Sequence, residues 1–429
     1  MSEWLRGSPG APALAFGGDV VRVGELAAAV AAAELPPGEG VIGCPAGMPP
    51  VELVTTVLAA LERGRPVLVG GGPGEAAGLD GRLPEGTALA LRTSGSSGGA
   101  PTVVARTEAS WLASAAPLAE IAGIGASDHV AVTGPLHVSM HLYATLHALW
   151  AGASAGDGLR GASVVHATPT KLFRLLDDGL DVRTAVVAGA AMSDSLRNAA
   201  RARLRLVEYY GAAELSFVAV GRGDGLEPFP GAELELRDAA GGRELWVRSP
   251  YLALAAIGDG MLRRDAAGFA TVGDLAETAP DGRMHVLGRG DAAITTAGAT
   301  VLAEHVEAVL TALPGVAAAA VVGEPHELLG ERVVAVVELS GFASDGAPGP
   351  DAAQRSVIEA ARIGLDPAAL PRRWYFRAVP RTDSGKVARG AVRAALEARA
   401  LGVPVAAPHS ARSASPAPVP VAPLEGETA

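Results

Sequence analysis

The chain has a single cysteine and almost no lysine. One cysteine, Cys44, in 429 residues excludes an internal disulfide framework and any cysteine-built metal site. Its apolar sequence neighbours suit a packed thiol rather than a nucleophile, and the compartment expected is a reducing one. Lysine occurs only at Lys171 and Lys386, which leaves 33 of the 35 basic residues as arginine. A lysine in such a chain marks a place where a compact ammonium is needed and a planar guanidinium will not serve, and this singles out Lys386. Positive charge is short overall: the formal net charge is −11, and no Lys/Arg cluster stands out. That argues against a nucleic-acid surface and for a small-molecule substrate. Apolar runs are broken well short of a membrane span, and the opening MSEWLRGSPG has neither basic flank nor apolar core, so the expectation is a cytoplasmic protein without a membrane span.

What is present is enough for a sizeable core. Hydrophobic residues make up 49% of the chain, and its length suits two or more domains. The organising stretch is residues 93–104, TSGSSGGAPTVV, which leaves a largely apolar run at 87–91. Gly95, Gly98 and Gly99 allow φ > 0 and turn successive N–H groups inward, while Thr93, Ser94, Ser96 and Ser97 add compact hydroxyl donors. The pattern is that of an anion cradle, although a flexible Ser/Gly turn has the same composition. A second glycine run, with Gly72, Gly74 and Ala77 in dinucleotide-fold spacing, reads as a surface turn. Gly78, Gly81 and Pro84 leave no room for the helix such a fold needs.

Strand-like and helical segments then alternate from residue 65 to residue 209, which predicts an α/β fold whose mostly parallel sheets are sandwiched by helices. Ligands belong in the loops at the strand ends. Two such loops stand out. Gly189-Ala190-Ala191-Met192 offers a flat small-residue shelf or, as local sequence favours, a helix-start turn, and Tyr210-Gly211-Ala212-Ala213-Glu214 offers a ring and a carboxylate, or a merely solvated glutamate. From Pro228 the texture becomes that of a small β subdomain carrying Gly273-Asp274-Leu275 and Leu287-Gly288-Arg289-Gly290-Asp291. A small α+β unit follows, in which Pro380-Arg381-Thr382-Asp383-Ser384-Gly385-Lys386 forms a turn presenting the lysine. The expected division is an N-terminal unit over 1–290, a C-terminal unit over 291–401 and a disordered Pro/Ala-rich tail over 402–429.

TSGSSGG, YGAAE, VGDL, LGRGD and PRTDSGK occur in the order found in the adenylate-forming (AMP-binding) superfamily, which includes acyl- and aryl-CoA synthetases, peptide-synthetase adenylation domains and luciferases. The chain resembles that family over roughly residues 20–400. The resemblance implies a large N-terminal domain and a small C-terminal lid with the active site between them, using ATP, Mg²⁺ and CoA. It makes Thr93, Ser94, Gly95, Ser96, Ser97 and Gly98 the triphosphate loop. Gly189, Ala190 and Ala191 become the adenine shelf, Tyr210 with Gly211 and Ala212 the adenine-stacking segment, and Glu214 the Mg²⁺ ligand. Asp274 and Arg289 would bind ribose, Asp291 would be the hinge, Gly298 would face the thiol tunnel, and Lys386 would be the adenylation lysine.

Departures from the family pattern bear on nucleotide handling. Thr102 stands where the phosphate loop has lysine, Ala213 replaces a hydroxyl residue before Glu214, and Val272 replaces a threonine before Gly273-Asp274. The expectation is ATP handling weaker than in typical members, or rebuilt by Arg106 or Thr107. The segment 135–144, PLHVSMHLYA, lacks the aspartate that holds an α-amino group in amino-acid-activating members and resembles the corresponding segment of acyl- and aryl-CoA ligases. The acid-pocket histidine is then His137 or His141, with a satisfied core histidine as the comparable alternative. The compact large domain is similar to o-succinylbenzoate-CoA ligases and short bacterial acyl-CoA ligases. The function implied is activation of a small non-amino carboxylic acid to an acyl-adenylate and its transfer to CoA. An acyl-carrier-protein ligase and a non-catalytic nucleotide-binding relative are the alternatives.

Overall fold

The computed structural model describes residues 3–406 except 94–101, 191, 224, 240–241, 259–260, 280–281, 290–292, 297–298, 327–328, 341–349, 383–384, 399–400 and 402–404. Two sheets form the N-terminal part. The larger has 15 strands, and its central run is wholly parallel. Arg205–Ala212, Thr184–Val187, Val164–Ala167, His129–Val132, Ser154–Gly156 and Pro12–Phe16 follow one another across it. Thr184–Val187 and Val164–Ala167 are buried along their whole length, as strands covered on both faces must be. One face carries the helices Val23–Ala32, Pro50–Glu62, Glu108–Ala122 and Ser139–Trp150, and the other carries Pro169–Asp177 and Asp194–Arg201. The helix starts follow local chemistry: Thr107, Thr168 and Ser193 each accept a backbone N–H, and Pro50 and Pro169 occupy first-turn positions.

The second sheet has five strands, in which Ile42–Pro45, Val67–Gly70 and Leu89–Thr93 run parallel. Thr102–Arg106 returns antiparallel to Leu89–Thr93 with Thr93 opposite Thr102, so residues 94–101 connect two hydrogen-bonded strands. Cys44 is buried, and burial with the Glu52 charge pushes its thiol up to about 12, which agrees with a packed, unreactive side chain.

Three features differ from the sequence reading. The glycine run holds a five-residue helix, Pro73–Ala77, because Pro73 presets the first turn and Glu75 accepts the Gly72 N–H at 3.1 Å. One turn remains far short of a dinucleotide-fold helix. The β subdomain is hydrogen-bonded into the large sheet through Ser216–Arg222, Gly225–Pro228 and Met284–Arg289, although it has its own apolar cluster around Leu215, Val218 and Leu245. In the C-terminal part, Val405–Ala406 pairs with Arg373–Phe376, so that sheet extends beyond residue 402.

The C-terminal part has six strands centred on Gly330–Leu339. Helices Ala303–Thr311 and Pro350–Gly364 cover one face, and Arg389–Glu397 packs on the other through Val392. Among the described residues no helix is long and apolar enough to cross a membrane.

Truncation after Ala406 is expected to leave the thermal midpoint unchanged, because the residues beyond it are too poor in large apolar groups to bury much surface. Truncation after Leu401 should lower the midpoint by removing the edge strand. Equal midpoints for the two variants would show that this strand adds nothing.

His141, His147 and His166 form a buried group in which the first two ring Nδ1 atoms and the third ring Nε2 lack hydrogen-bond partners. Burial pushes their pKa values down to about 4, 4 and 3, so all three are neutral in the fold. Unfolded, they take up protons below about pH 6.5. The unfolded state then binds more protons, so stability should fall as pH drops from about 6.5 toward 4, by up to ~1.4 kcal/mol per pH unit for each histidine. Denaturant unfolding across that range measures the slope, and a flat profile would contradict the neutral, buried assignment.

Candidate active site

A cleft of about 1590 Å³ lies between the carboxyl ends of the parallel strands and the C-terminal part. Such ends collect ligands because the sheet holds them rigidly while each following loop is free to vary. Val164–Ala167 delivers Thr168, Thr184–Val187 delivers Gly189 and Ala190, and Arg205–Ala212 delivers Tyr210, Gly211 and Ala212. All six residues line the cleft, together with Thr93, Glu214, Asp274 and Lys386. These ten residues therefore share one cleft. Ser94, Gly95, Ser96, Ser97, Gly98, Ala191, Asp291 and Gly298 lie outside the described residues, and Arg289 is described by its backbone alone.

Gly189 has φ of 95°, a region that disfavours a side chain. A Cβ there would lie 3.6 Å from Lys386 Cε and 3.7 Å from Thr168 Cγ2, so the lysine crosses directly above the glycine shelf. Lys386 reaches this point from a tight hairpin. Thr382 N–H donates to Lys386 O at 2.8 Å, Gly385 N–H to Thr382 O at 2.8 Å, and Ala388 N–H to Pro380 O at 2.9 Å. Gly385, at φ of 80°, makes the turn possible.

The YGAAE segment is not a free loop. Its first three residues end the strand Arg205–Ala212, which bulges between Tyr210 and Gly211 and returns as Ser216–Arg222. A Cβ on Gly211 would collide with Ser216 O, so only glycine lets the hairpin close this tightly. The Tyr210 hydroxyl donates to Asp274 Oδ2, a contact that the sequence did not signal. Asp274 is buried at the start of Asp274–Thr278 and pairs with Arg289 across the ladder, which sets the two proposed ribose residues opposite one another.

Glu214 is 7% exposed and lines the cleft. Behind it lies Arg106, which is fully buried. Arg106 Nη2 donates to Ala213 O at 3.0 Å and Tyr251 O at 3.2 Å, and Nη1 donates to Ser216 Oγ at 3.5 Å. Burial pushes Arg106 down to about 9, against the pull of the Glu214 charge. The expectation that Arg106 or Thr107 replaces a phosphate contact is therefore corrected. Arg106 is committed to backbone carbonyls inside the protein, and Thr107 caps the helix Glu108–Ala122 by accepting the Ser110 N–H at 3.1 Å. Val272 is a buried core residue of the β subdomain.

The two candidate histidines separate. His137 lines the cleft, whereas His141, one turn into the helix Ser139–Trp150, is buried against Gly134 and outside the cleft lining. The sequence reading did not include the aromatic wall of Trp111, Tyr143, Tyr209 and Phe217, nor Arg92 beside His137. Helical spacing could have suggested Trp111 and Tyr143 as core residues, but nothing local marks them as pocket lining.

Asp274→Ala is expected to weaken nucleotide binding by about tenfold to a hundredfold, the equivalent of ~1.5–3 kcal/mol for a hydrogen bond to a charged group. Tyr210→Phe keeps the ring and should weaken binding less. Titration with ATP by calorimetry checks both, and unchanged affinity in folded Asp274→Ala would remove this carboxylate from the site.

Comparison with known proteins bears on the fold and the family of this chain. The family described as AMP-binding enzyme C-terminal domain matches residues 305–386. An uncharacterized acyl–CoA ligase, YhfT, of Bacillus subtilis is 28% identical over 340 residues, covering 71% of this chain and 68% of the relative. A probable 2-succinylbenzoate–CoA ligase of Mycobacterium tuberculosis is 32% identical over 306 residues, covering 66% of this chain and 73% of the relative. The solved o-succinylbenzoate CoA synthetase of Bacillus subtilis, in complex with its acyl-adenylate intermediate, superposes with a TM-score of 0.73 at 19% identity, covering 92% of this chain and 98% of that one. From the motifs, the shared fold and the relatives together, the chain belongs to the adenylate-forming, AMP-binding superfamily, among its acyl-CoA ligases.

Proposed function

We propose that this protein activates a small, non-amino carboxylic acid with ATP and passes the acyl group to the thiol of CoA. The observation that carries the reading is Lys386, which the C-terminal hairpin holds over Gly189, beside the cleft wall that includes Glu214 and the Tyr210–Asp274 pair. This arrangement suits the first half-reaction, in which a carboxylate oxygen attacks the α-phosphorus, the bond to the bridging oxygen breaks, and pyrophosphate leaves. Lys386 would neutralise charge shared by the carboxylate and the α-phosphate, and Gly189 and Ala190 would support the adenine beside Tyr210. Asp274 would accept from the ribose hydroxyls.

Among the described residues no three or more metal-ligating side chains converge. A single buried carboxylate, Glu214, suits Mg²⁺, which keeps several waters and takes substrate phosphates as its other ligands. When bound, the ion would offset negative charge on the phosphates. Arg106 would hold the Glu214 turn from behind.

The division proposed is a large domain to residue 290, a hinge at Asp291 and a lid from 291 through the edge strand Val405–Ala406. Turning the lid would withdraw Lys386 and admit the thiol, which attacks the acyl carbon and releases AMP. Trp111, Tyr143, Tyr209 and Phe217 make an apolar wall that favours an uncharged aromatic or branched acyl group over a second carboxylate.

Pyrophosphate release measured across a panel of acids tests the reading, with CoA and a phosphopantetheinyl carrier protein compared as acceptors. A blank panel with intact ATP binding would instead indicate a non-catalytic relative. Lys386→Ala is expected to slow acyl-adenylate formation by ~10²–10³ and to spare thioester formation from supplied acyl-adenylate. Equal loss in both half-reactions, or no loss in either, would overturn the two-step assignment.

A further inference from the structure

Three residues beyond Lys386, Arg389 opens the helix Arg389–Glu397. Its guanidinium is gripped by two carboxylates of the helix Ala303–Thr311. Arg389 Nε donates to Glu307 Oε1 at 2.8 Å, Nη2 to Glu307 Oε2 at 2.5 Å, and Nη1 to Glu304 Oε1 at 3.0 Å. Glu307 is itself fixed, because it is buried and its Oε1 also accepts the Val321 N–H at 2.8 Å. The residue before Arg389 is Ala388, which has no side chain able to cap the helix, so the ion pairs replace a cap in locating the helix start. Ala388 is also the foot of the Lys386 hairpin through its bond to Pro380 O at 2.9 Å. Glu304 extends the chain of contacts outward: its Oε2 lies so close to Gly288 that a Cβ there would collide with it. The contacts of the hairpin thus run through Arg389 and Glu304 to a close packing against Gly288 in the strand Met284–Arg289 of the N-terminal part.

We infer that Arg389 is a positioning residue for acyl-adenylate formation, its two-carboxylate clamp setting where Lys386 stands over Gly189. The inference rests on the role proposed for Lys386. A bidentate fork plus a third bond fixes both direction and distance, which a single ammonium could not do. The three clamp residues line the cleft, but all three guanidinium nitrogens of Arg389 are spent on Glu304 and Glu307, so loss of the clamp is expected to act on the chemical step more than on binding. Lys386 is withdrawn in the proposed second half-reaction, and a misplaced hairpin should not matter there.

Both half-reactions and thermal unfolding are measured for Arg389→Gln, Arg389→Lys and Glu307→Gln, with Lys386→Ala alongside. Arg389→Gln is expected to lower kcat of adenylate formation by ~10²-fold, the size of effect that a displacement of about 1 Å produces. KM for ATP and for the acid should hold, and so should thioester formation from supplied acyl-adenylate. Arg389→Lys should recover only part of the rate. Should Arg389→Gln fail to fold, Glu304→Ala removes one of the three bonds and serves the same comparison. Equal losses in the two half-reactions with a lowered thermal midpoint would make Arg389 a stabilising residue only and overturn the inference. An unaffected adenylation rate would also overturn it. If Lys386→Ala is impaired while the clamp variants are not, this inference alone falls; if Lys386→Ala is unimpaired, the site reading falls with it.

Discussion

The site depends on the change of the large sheet from parallel to antiparallel along the strand Arg205–Ala212. Its first half pairs in parallel with Thr184–Val187, and its second half pairs antiparallel with Ser216–Arg222. The change needs a backbone approach at Gly211 that no side chain could survive. It brings Tyr210 and Glu214 to the same cleft although only the first lies on the strand, and it aligns the antiparallel strands so that Asp274 meets the Tyr210 hydroxyl. A register slip of one residue would send Tyr210 to the opposite face of the sheet and separate that pair.

Buried charge is the second constraint. Arg106, Glu214, Asp274 and Glu307 are all nearly inaccessible, and desolvating such groups is tolerated where partners satisfy them. Arg106 is satisfied mainly by backbone carbonyls, and Glu307 by Arg389 and the Val321 N–H. The Arg106 bonds hold the turns at Ala213 and Tyr251, and the Glu307 bonds hold the helix Ala303–Thr311 to the strand Val316–His326 and to the start of Arg389–Glu397. In a chain with only two lysines, arginine forks do this structural work and leave Lys386 exposed at the cleft.

Much of the fold was legible because periodicity and glycine punctuation act locally. Alternating segments implied parallel strands under helices, and the motif order implied the family. The errors arose where local sequence and tertiary pairing diverge. YGAAE reads as a loop because glycine and alanine break strand patterns, yet sheet hydrogen bonds extend through Ala212. His137 and His141 are equivalent in a sequence segment that lacks register, and only the helix beginning at Ser139 turns one toward the core. Arg106 suggested a free cation by type, but its place opposite Leu89 in a central strand pair buried it.

By itself, the sequence determined which residue types could do the chemistry: hydroxyl and glycine donors, a lone lysine in a turn, and carboxylates spaced for ribose and metal. It also determined the α/β alternation, since apolar period and turn residues are properties of a few consecutive positions. The tertiary structure decided which of these residues share one cleft, that Arg106 and Thr107 are structural, and that Arg389 lies against Glu304 and Glu307. Those outcomes depend on contacts between distant positions, such as Arg106 with Tyr251 at a separation of 145 residues, and on burial. Neither is encoded in local spacing, because each depends on which distant elements pack together.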